Sequence, residues 1–536
     1  MSSVVIVGSG ASGVHFALSV LRKGYEVTML DVGFRGPEQP NPADSLNELK
    51  TKLADPVAYF LGHHYESVVR PGSKGEYYGF PPTKSFVFSQ PTSFELEASG
   101  FAPLVSFSEG GLAEVWTGGV YPLNDEELTA FPFGYSDLER YYSEVAERIG
   151  ISGTKDDLVR AFPVHENLGQ PLRLDELSQE LLGRYEKHKR SLNDELRCYL
   201  GRSRVATLES DMGDRKGCTY LGRCLWGCPT GSLYTPSITL NQCRTFSNFH
   251  YVPNMYVSHF EFNSENHIVS MVAESLADNT FHEFKAKKFV LAAGTLSSSK
   301  IYLDSIWRSR HEAVQLQGLM DNRQILIPFV SMSRIGKSYD PENYQYHQVA
   351  LGIESQDSQE YIHGQITTLK TALVHPIIQN LPVDLRTAIS LFKNVRAGLG
   401  VVNLNLHDRR RDGNFVALSV TAGEERSKLV VHYSPAAGER RIIRTTLRTV
   451  KKLLWKLGCL VPPGMTHVRP MGASVHYAGT IPMSAEPRPH TSSAYGQSHD
   501  FENLFFVDGT TFPFLPAKNL TFTLMANAVR VADTAF

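Results

Sequence analysis

The chain has 536 residues, too many for one compact core, so two large lobes are expected. With 42% hydrophobic, 10% aromatic and 20% charged residues, its composition is that of an ordinary globular protein. A formal net charge of −2 leaves no basic face for non-specific nucleic-acid binding, and 42 glycines and 29 prolines spread along the chain suit a loop-rich enzyme.

The N-terminus has no basic leader, and the apolar run Val4–Val7 breaks at once into glycines, so no secretory signal is read. Asp508 and Lys518 interrupt the one long apolar C-terminal region, which leaves no membrane-spanning stretch. A cytoplasmic location is the expectation, with export alongside a separate subunit as the alternative.

Residues 3–7 form a short β-branched run suited to a buried parallel strand. Gly8, Gly10 and Gly13 follow at the Gly-x-Gly-x-x-Gly spacing, with Ala11 and Ser12 opening a helical pattern that runs to about Lys23. Gly24 ends it, Glu26–Leu30 reads as a second strand, and Asp31 closes that strand. Gly8 permits a tight turn, Gly10 lets backbone approach a pyrophosphate, and Gly13 lets helix and strand pack closely. The helix N-terminus would face the phosphates, and Asp31 would bind ribose hydroxyls. The segment does not decide between FAD and NAD, nor exclude a fold kept without its cofactor.

A second glycine-rich stretch runs from Gly110 and Gly111 through Trp116 and Thr117 to Gly118 and Gly119, and Tyr121-Pro122 follows. It suits backbone passing close to a flat ligand, or an ordinary surface loop. Three cysteines are then clustered as Cys-x5-Cys-x3-Cys-Pro: Cys218, Cys224 and Cys228. Thiolates so close in sequence suit an iron–sulfur centre, whereas zinc usually wants four ligands and only the distant Cys243 is on hand. The other reading is a loop whose cysteines serve as small buried hydrophobes. Cys198 and Cys459 read as core residues.

Lys288–Leu291 is an apolar strand entering the small-residue turn Ala292-Ala293-Gly294, with a helix expected from about Ser297 to Asp304. Leu429–Tyr433 has strand character. Glu439–Leu457 reads as a basic amphipathic helix, whose Arg440, Arg441, Arg444, Arg448, Lys451 and Lys452 make a solvated face or an acidic partner's docking surface.

The tail carries two further motifs. Ser474–Thr480 surrounds His476, and Asn503–Gly509 runs on, through Asp508 and Gly509, to Asn519-Leu520-Thr521. A helix is expected from Leu520 to Asp533. Removing hydride from an alcohol carbon requires the hydroxyl proton to leave too, and a neutral imidazole is the natural acceptor near pH 7. The amide of Asn519 does not titrate but can orient the same hydroxyl. His467, His490 and His499 lack such context and read as structural or surface residues.

Taken together, the segments 8–13, 110–119, 131–142, 291–295, 476–480 and 503–533 resemble the glucose–methanol–choline (GMC) flavoprotein oxidoreductases over nearly the whole chain. The resemblance implies an α/β fold: a Rossmann-like FAD lobe of discontinuous segments, and a substrate lobe with an antiparallel sheet and flanking helices. It divides the chain into FAD-binding segments at 1–149 and 206–310, substrate-lobe parts at 150–205 and 311–462, and a catalytic FAD-binding tail at 463–536. The FAD set it implies is Gly8, Gly10, Ala11, Ser12, Gly13 and Asp31; Gly110, Gly111, Trp116, Thr117 and Gly118; Val257; Ala292, Ala293 and Gly294; and Asp508, Gly509, Asn519, Leu520 and Thr521.

It also implies catalysis by His476 as base and Asn519 as orienting partner, with hydride passing to flavin N5. The N-terminus of the last helix would point at the flavin ring. Some membrane-linked sugar dehydrogenases of the family carry a [3Fe–4S] cluster on cysteines spaced as Cys218, Cys224 and Cys228, which would serve an electron-transfer partner.

Three departures stand out. Asp31 replaces the usual glutamate, Leu520 follows Asn519 where proline is frequent, and Lys518 beside the asparagine is unusual and reads as solvent-exposed. The expected reaction is oxidation of a CH–OH group of a sugar, glycoside or polyol, with oxygen or another electron acceptor completing the cycle. Two rivals remain: an FAD-containing lyase on the same scaffold, and a binding protein with the dinucleotide fold but no redox role.

Overall fold

The computed structural model describes residues 2–69, 76–355, 361–369, 373–420 and 426–536. The first strand, Ser3–Val7, lies at the centre of a five-stranded sheet, between Lys288–Leu291 and Glu26–Leu30. Leu504–Phe506 and Phe249–Val252 form its edges, and every neighbouring pair is parallel. Strands buried on both faces must be apolar throughout, and Val4, Val5, Ile6, Phe289, Val290, Leu504 and Phe506 are all buried.

The helix Ala11–Arg22 packs on this sheet beside the last helix, Thr521–Ala535. Val14, Phe16, Leu18 and Leu21 on the one, and Ala528, Val531 and Ala532 on the other, share a single core. The two ends of the chain are thus packed together. The helix after Ala292–Gly294 starts at Thr295 and runs to Arg310, longer at both ends than its apolar spacing alone suggests. Gly294 sets its start, with φ of 85° as the N-cap.

A second, antiparallel sheet is built on the strands Cys198–Arg202, Val349–Ile353, Ile362–Thr368, Leu399–Leu406 and Arg323–Ser331. One face of it, with Ile325, Ile327, Ile366, Val402 and Leu404, buries against the helices Glu176–Leu196 and Glu439–Lys456. The second helix presents Val450, Leu453 and Leu454 to that core, while Arg440, Arg441, Arg444, Arg448, Lys451 and Lys452 are exposed. The opposite face of the sheet is left for the site. Strand Lys428–His432 belongs instead to a four-stranded sheet with Phe415–Ser419, Gln315–Gln317 and Glu95–Ser99.

Cys198, Cys243 and Cys459 are buried core residues. Among the described residues no helix is long and apolar enough to cross a membrane.

Candidate active site

The strand-to-helix turn at residues 8–13 is closed by glycine geometry. Gly8 has φ of 100°, and a Cβ there would lie 2.7 Å from the Ala292 carbonyl oxygen. A Cβ on Gly13 would lie 2.2 Å from the Gly8 carbonyl oxygen, so only glycine lets this helix sit so close to the strand. Gly294, by contrast, faces open space, and a Cβ on Gly10 would meet only the Ala292 carbonyl oxygen, at 4.0 Å.

A cleft runs along this turn. Gly8, Gly10, Ala11, Ser12 and Asp31 line one part; Gly111, Val257, Ala292, Ala293 and Gly294 line the next; Asp508, Gly509, Leu520 and Thr521 complete it. Three helices begin at this cleft, at Ala11, Thr295 and Thr521, and none has a side-chain cap on its first amides. Uncapped helix N-termini carry partial positive charge and unpaired N–H groups, the usual setting for an anion. Buried Asp31 accepts from the Ser9 hydroxyl and from Tyr251 OH, and burial pushes its carboxyl up to about 7. A glycine cradle with helix amides and an acid at the second strand fits a dinucleotide cofactor such as FAD.

Several residues of the expected cofactor set stand elsewhere. Gly13 and Gly110 support the cleft from behind: Gly13 packs on Gly8, and the Gly110 amide donates to Ser9 Oγ at 3.0 Å. Trp116, Thr117 and Asn519 line a second, larger cavity of about 630 Å³. Gly118 turns the chain with φ of 70° and packs on Leu233. Sequence reasoning missed Ser106, Phe107, Ser297 and Lys300 on the cleft wall, which carry no motif.

His476 lines both cavities, together with Val475, Thr521, Leu112 and Ala113. It therefore stands in the partition between the cofactor cleft and the larger chamber. Its loop is held from below: Asp321 accepts from the Gly472 amide and the Ser474 hydroxyl, and Ser474 Oγ accepts from the His476 amide at 3.0 Å. Val475 between them has φ of 65°, a left-handed conformation that a β-branched residue adopts only under constraint.

Asn322 fixes the imidazole. Its amide nitrogen donates to the carbonyls of Leu406 and Pro516, at 2.8 and 3.0 Å, so its Oδ1 is the acceptor facing His476 Nδ1 at 2.9 Å. Nδ1 must then carry the proton, which leaves the Nε2 lone pair available. Burial pushes His476 down to about 4, so the ring is neutral at pH 7. Across the chamber wall, Gln365 Nε2 donates to Asn519 Oδ1 at 2.7 Å. That leaves the Asn519 amide nitrogen as a donor. An Nε2 acceptor and an amide donor on one cavity match the two hydrogen-bonding needs of a single hydroxyl.

One expectation is corrected and another finds no support. Lys518 is not solvent-exposed: its side chain is fully buried, and its ammonium is bonded to Glu127 and to the carbonyls of Pro122 and Ala161. The iron–sulfur expectation for Cys218, Cys224 and Cys228 finds no ligand set, since among the described residues no group of three or more His, Cys, Asp or Glu is arranged to hold a metal. The thiol of Cys228 instead meets the Ser232 hydroxyl at 3.1 Å and the Leu233 amide at 3.5 Å. Cys218 and Cys224 pack against the buried cluster around Tyr344.

A dinucleotide-type cleft thus adjoins a second chamber, with His476 among the residues lining both. Residues 410–528 match the family model described as GMC oxidoreductase. Paromamine 6'-oxidase of Streptomyces fradiae is 22% identical over 99% of this chain and 90% of its own. Fructose dehydrogenase large subunit of Gluconobacter japonicus is 22% identical over 99% and 97%. Among solved structures, pyridoxine 4-oxidase from Mesorbium loti superposes with a TM-score of 0.61 at 14% identity, covering 99% of both chains. The C-terminal part of the chain thus carries the GMC oxidoreductase match, and by its likeness to these enzymes over nearly its whole length the protein is an FAD-dependent oxidoreductase.

Proposed function

We propose that the protein oxidises a CH–OH group of a sugar-like alcohol to the carbonyl. One observation carries this reading: His476, neutral and with a fixed tautomer, stands between the cofactor cleft and the chamber that also holds Asn519. The glycine turn, Asp31 and the three helix N-termini would hold FAD, which would supply the acceptor for hydride. The substrate hydroxyl donates to His476 Nε2 and accepts from the Asn519 amide, which aims its carbon at the cleft. His476 takes the hydroxyl proton as the C–H bond breaks. The positive end of the helix Thr521–Ala535 opposes negative charge that develops in the cleft.

Two similar proteins act, by name, on paromamine and on fructose, which supports a carbohydrate-like substrate. The same pair, an oxidase and a dehydrogenase subunit, leaves oxygen and a separate acceptor or partner protein as routes of reoxidation. The test is anaerobic mixing of the yellow protein with sugars, glycosides and simple alcohols while flavin absorbance is followed. Bleaching by an alcohol is the expected result. A flavin left oxidised while substrate is cleaved would make the protein a lyase, and a colourless protein would make it a non-redox binder.

A further inference from the structure

The free face of the antiparallel sheet forms one wall of the larger cavity, and its side chains change character row by row. Gln324 opens it on the strand Arg323–Ser331. One row on, Asn403 is paired with Gln365, whose amide holds Asn519. The next row is Pro328, Val401 and Thr367. In the fourth, Leu399 accepts through its carbonyl from the Leu369 amide at 2.9 Å. Rows recur every second residue, so carboxamides give way to leucines over about 20 Å. Leu373, Ile377 and Met465 line the same cavity. An aromatic wall adds to it: Tyr78 stacks on Phe80 with ring centres 5.7 Å apart, and Phe80 meets Phe88 at 4.7 Å.

Charge is nearly missing. Arg469 is the one formally charged side chain among the described lining residues. It is already bonded to Glu76 at 2.7 Å and lies over the Tyr78 ring. No carboxylate lines the described wall. An ammonium brought here would be stripped of water with no counter-ion, which burial penalises heavily.

From this gradient we infer that the substrate is an uncharged glycoside-like alcohol with an apolar aglycone. The hydroxylated head sits among Gln324, Gln365, Asn403 and Asn519, and an aryl or alkyl arm lies along the rows of Val401 and Leu399. The uncharged described wall disfavours an ammonium, so this substrate would differ in charge from paromamine, the amine named for a similar protein. The inference rests on the alcohol-oxidising reading of the same site, but binding and oxidation are separable measurements.

The test uses the FAD-loaded protein, titrated with methyl β-D-glucoside, phenyl β-D-glucoside and glucosamine. Calorimetry, or quenching of Trp116 and Trp226 on the cavity wall, reports dissociation constants without turnover. Phenyl glucoside should bind at least about thirtyfold more tightly than methyl glucoside, from the apolar area its ring buries. Glucosamine should not bind measurably. Val401→Asn should cut the phenyl-to-methyl ratio about tenfold and leave the methyl glucoside constant within twofold. Leu399→Ala, with flavin content and thermal midpoint checked on both variants, guards against misfolding. Equal constants for the two glucosides, no binding by either, or glucosamine binding as well as methyl glucoside would overturn the inference. Tight binding of phenyl glucoside without flavin bleaching would instead overturn the proposed reaction and leave the inference standing.

Discussion

Asn322 Oδ1 faces His476 Nδ1 at 2.9 Å, and the asparagine is itself pinned by two backbone carbonyls. One amide thus decides which nitrogen of the base is free. Asn322→Ala should lower kcat/KM about tenfold to a hundredfold while flavin content is unchanged. Asn322→Asp tests the electrostatics separately. A carboxylate beside Nδ1 favours the protonated ring, so the acid limb of the kcat/KM profile, which only neutral imidazole supports, should move up from near pH 4. A profile unmoved in Asn322→Asp would remove His476 as the titrating base.

His476→Ala should bind flavin normally and undergo reduction by alcohol at least about a hundredfold more slowly, the usual contribution of a general base. Stopped-flow flavin absorbance measures this directly. Gln365→Leu acts one step further out: it frees Asn519 Oδ1, so the amide loses its fixed donor direction. A drop in kcat of about tenfold, with little change in flavin spectrum, is expected.

The glycine turn, the helix Ala11–Arg22 and the motifs around His476 and Asn519 are local in sequence, and they were legible for that reason. Short-range spacing carries the geometry of a strand–turn–helix, so its glycines announce themselves. Helix ends were less legible, because caps decide them: Leu520 is the N-cap of the last helix rather than its first residue. Asn322 and Gln365 gave no signal at all. Each lies 154 residues from the side chain it orients, as a lone amide within or beside a sheet strand. Lys518 was misread because a lysine in a loop is normally solvated, and its partner Glu127 lies 391 residues away.

Asp31 links cofactor and pH. Burial holds its carboxyl up near 7, against an ordinary value near 4. The folded state therefore keeps a proton that the unfolded state has lost between those limits. Stability from this group is present below about pH 4 and is lost as pH rises toward 7. Chemical denaturation of the flavin-free protein should show Asp31→Asn reducing the fall in stability across that window. FAD affinity of the same variant should weaken about tenfold or more, since an amide is a poorer acceptor for ribose hydroxyls.

The ion pair of Lys518 with Glu127 is fully out of water, and all three ammonium protons are used on Glu127, Pro122 and Ala161. Lys518→Met would leave a buried carboxylate with no counter-charge, a loss of about 3–5 kcal/mol at neutral pH. The variant can relieve this only by protonating Glu127, whose carboxyl burial already pushes upward. Its stability should therefore fall as pH rises and recover as pH is lowered far enough to protonate Glu127. Lys518→Met combined with Glu127→Gln removes the charge altogether and should recover most of the loss, as measured by urea unfolding. The carbonyls of Pro122 and Ala161 stay unpaired in both variants, so a residual deficit in the double variant measures their share. Because Asn519 is the next residue, kcat should track the same pH-dependent loss in the single variant and return in the double. A single variant whose stability does not change with pH would show that this pair does not hold the loop.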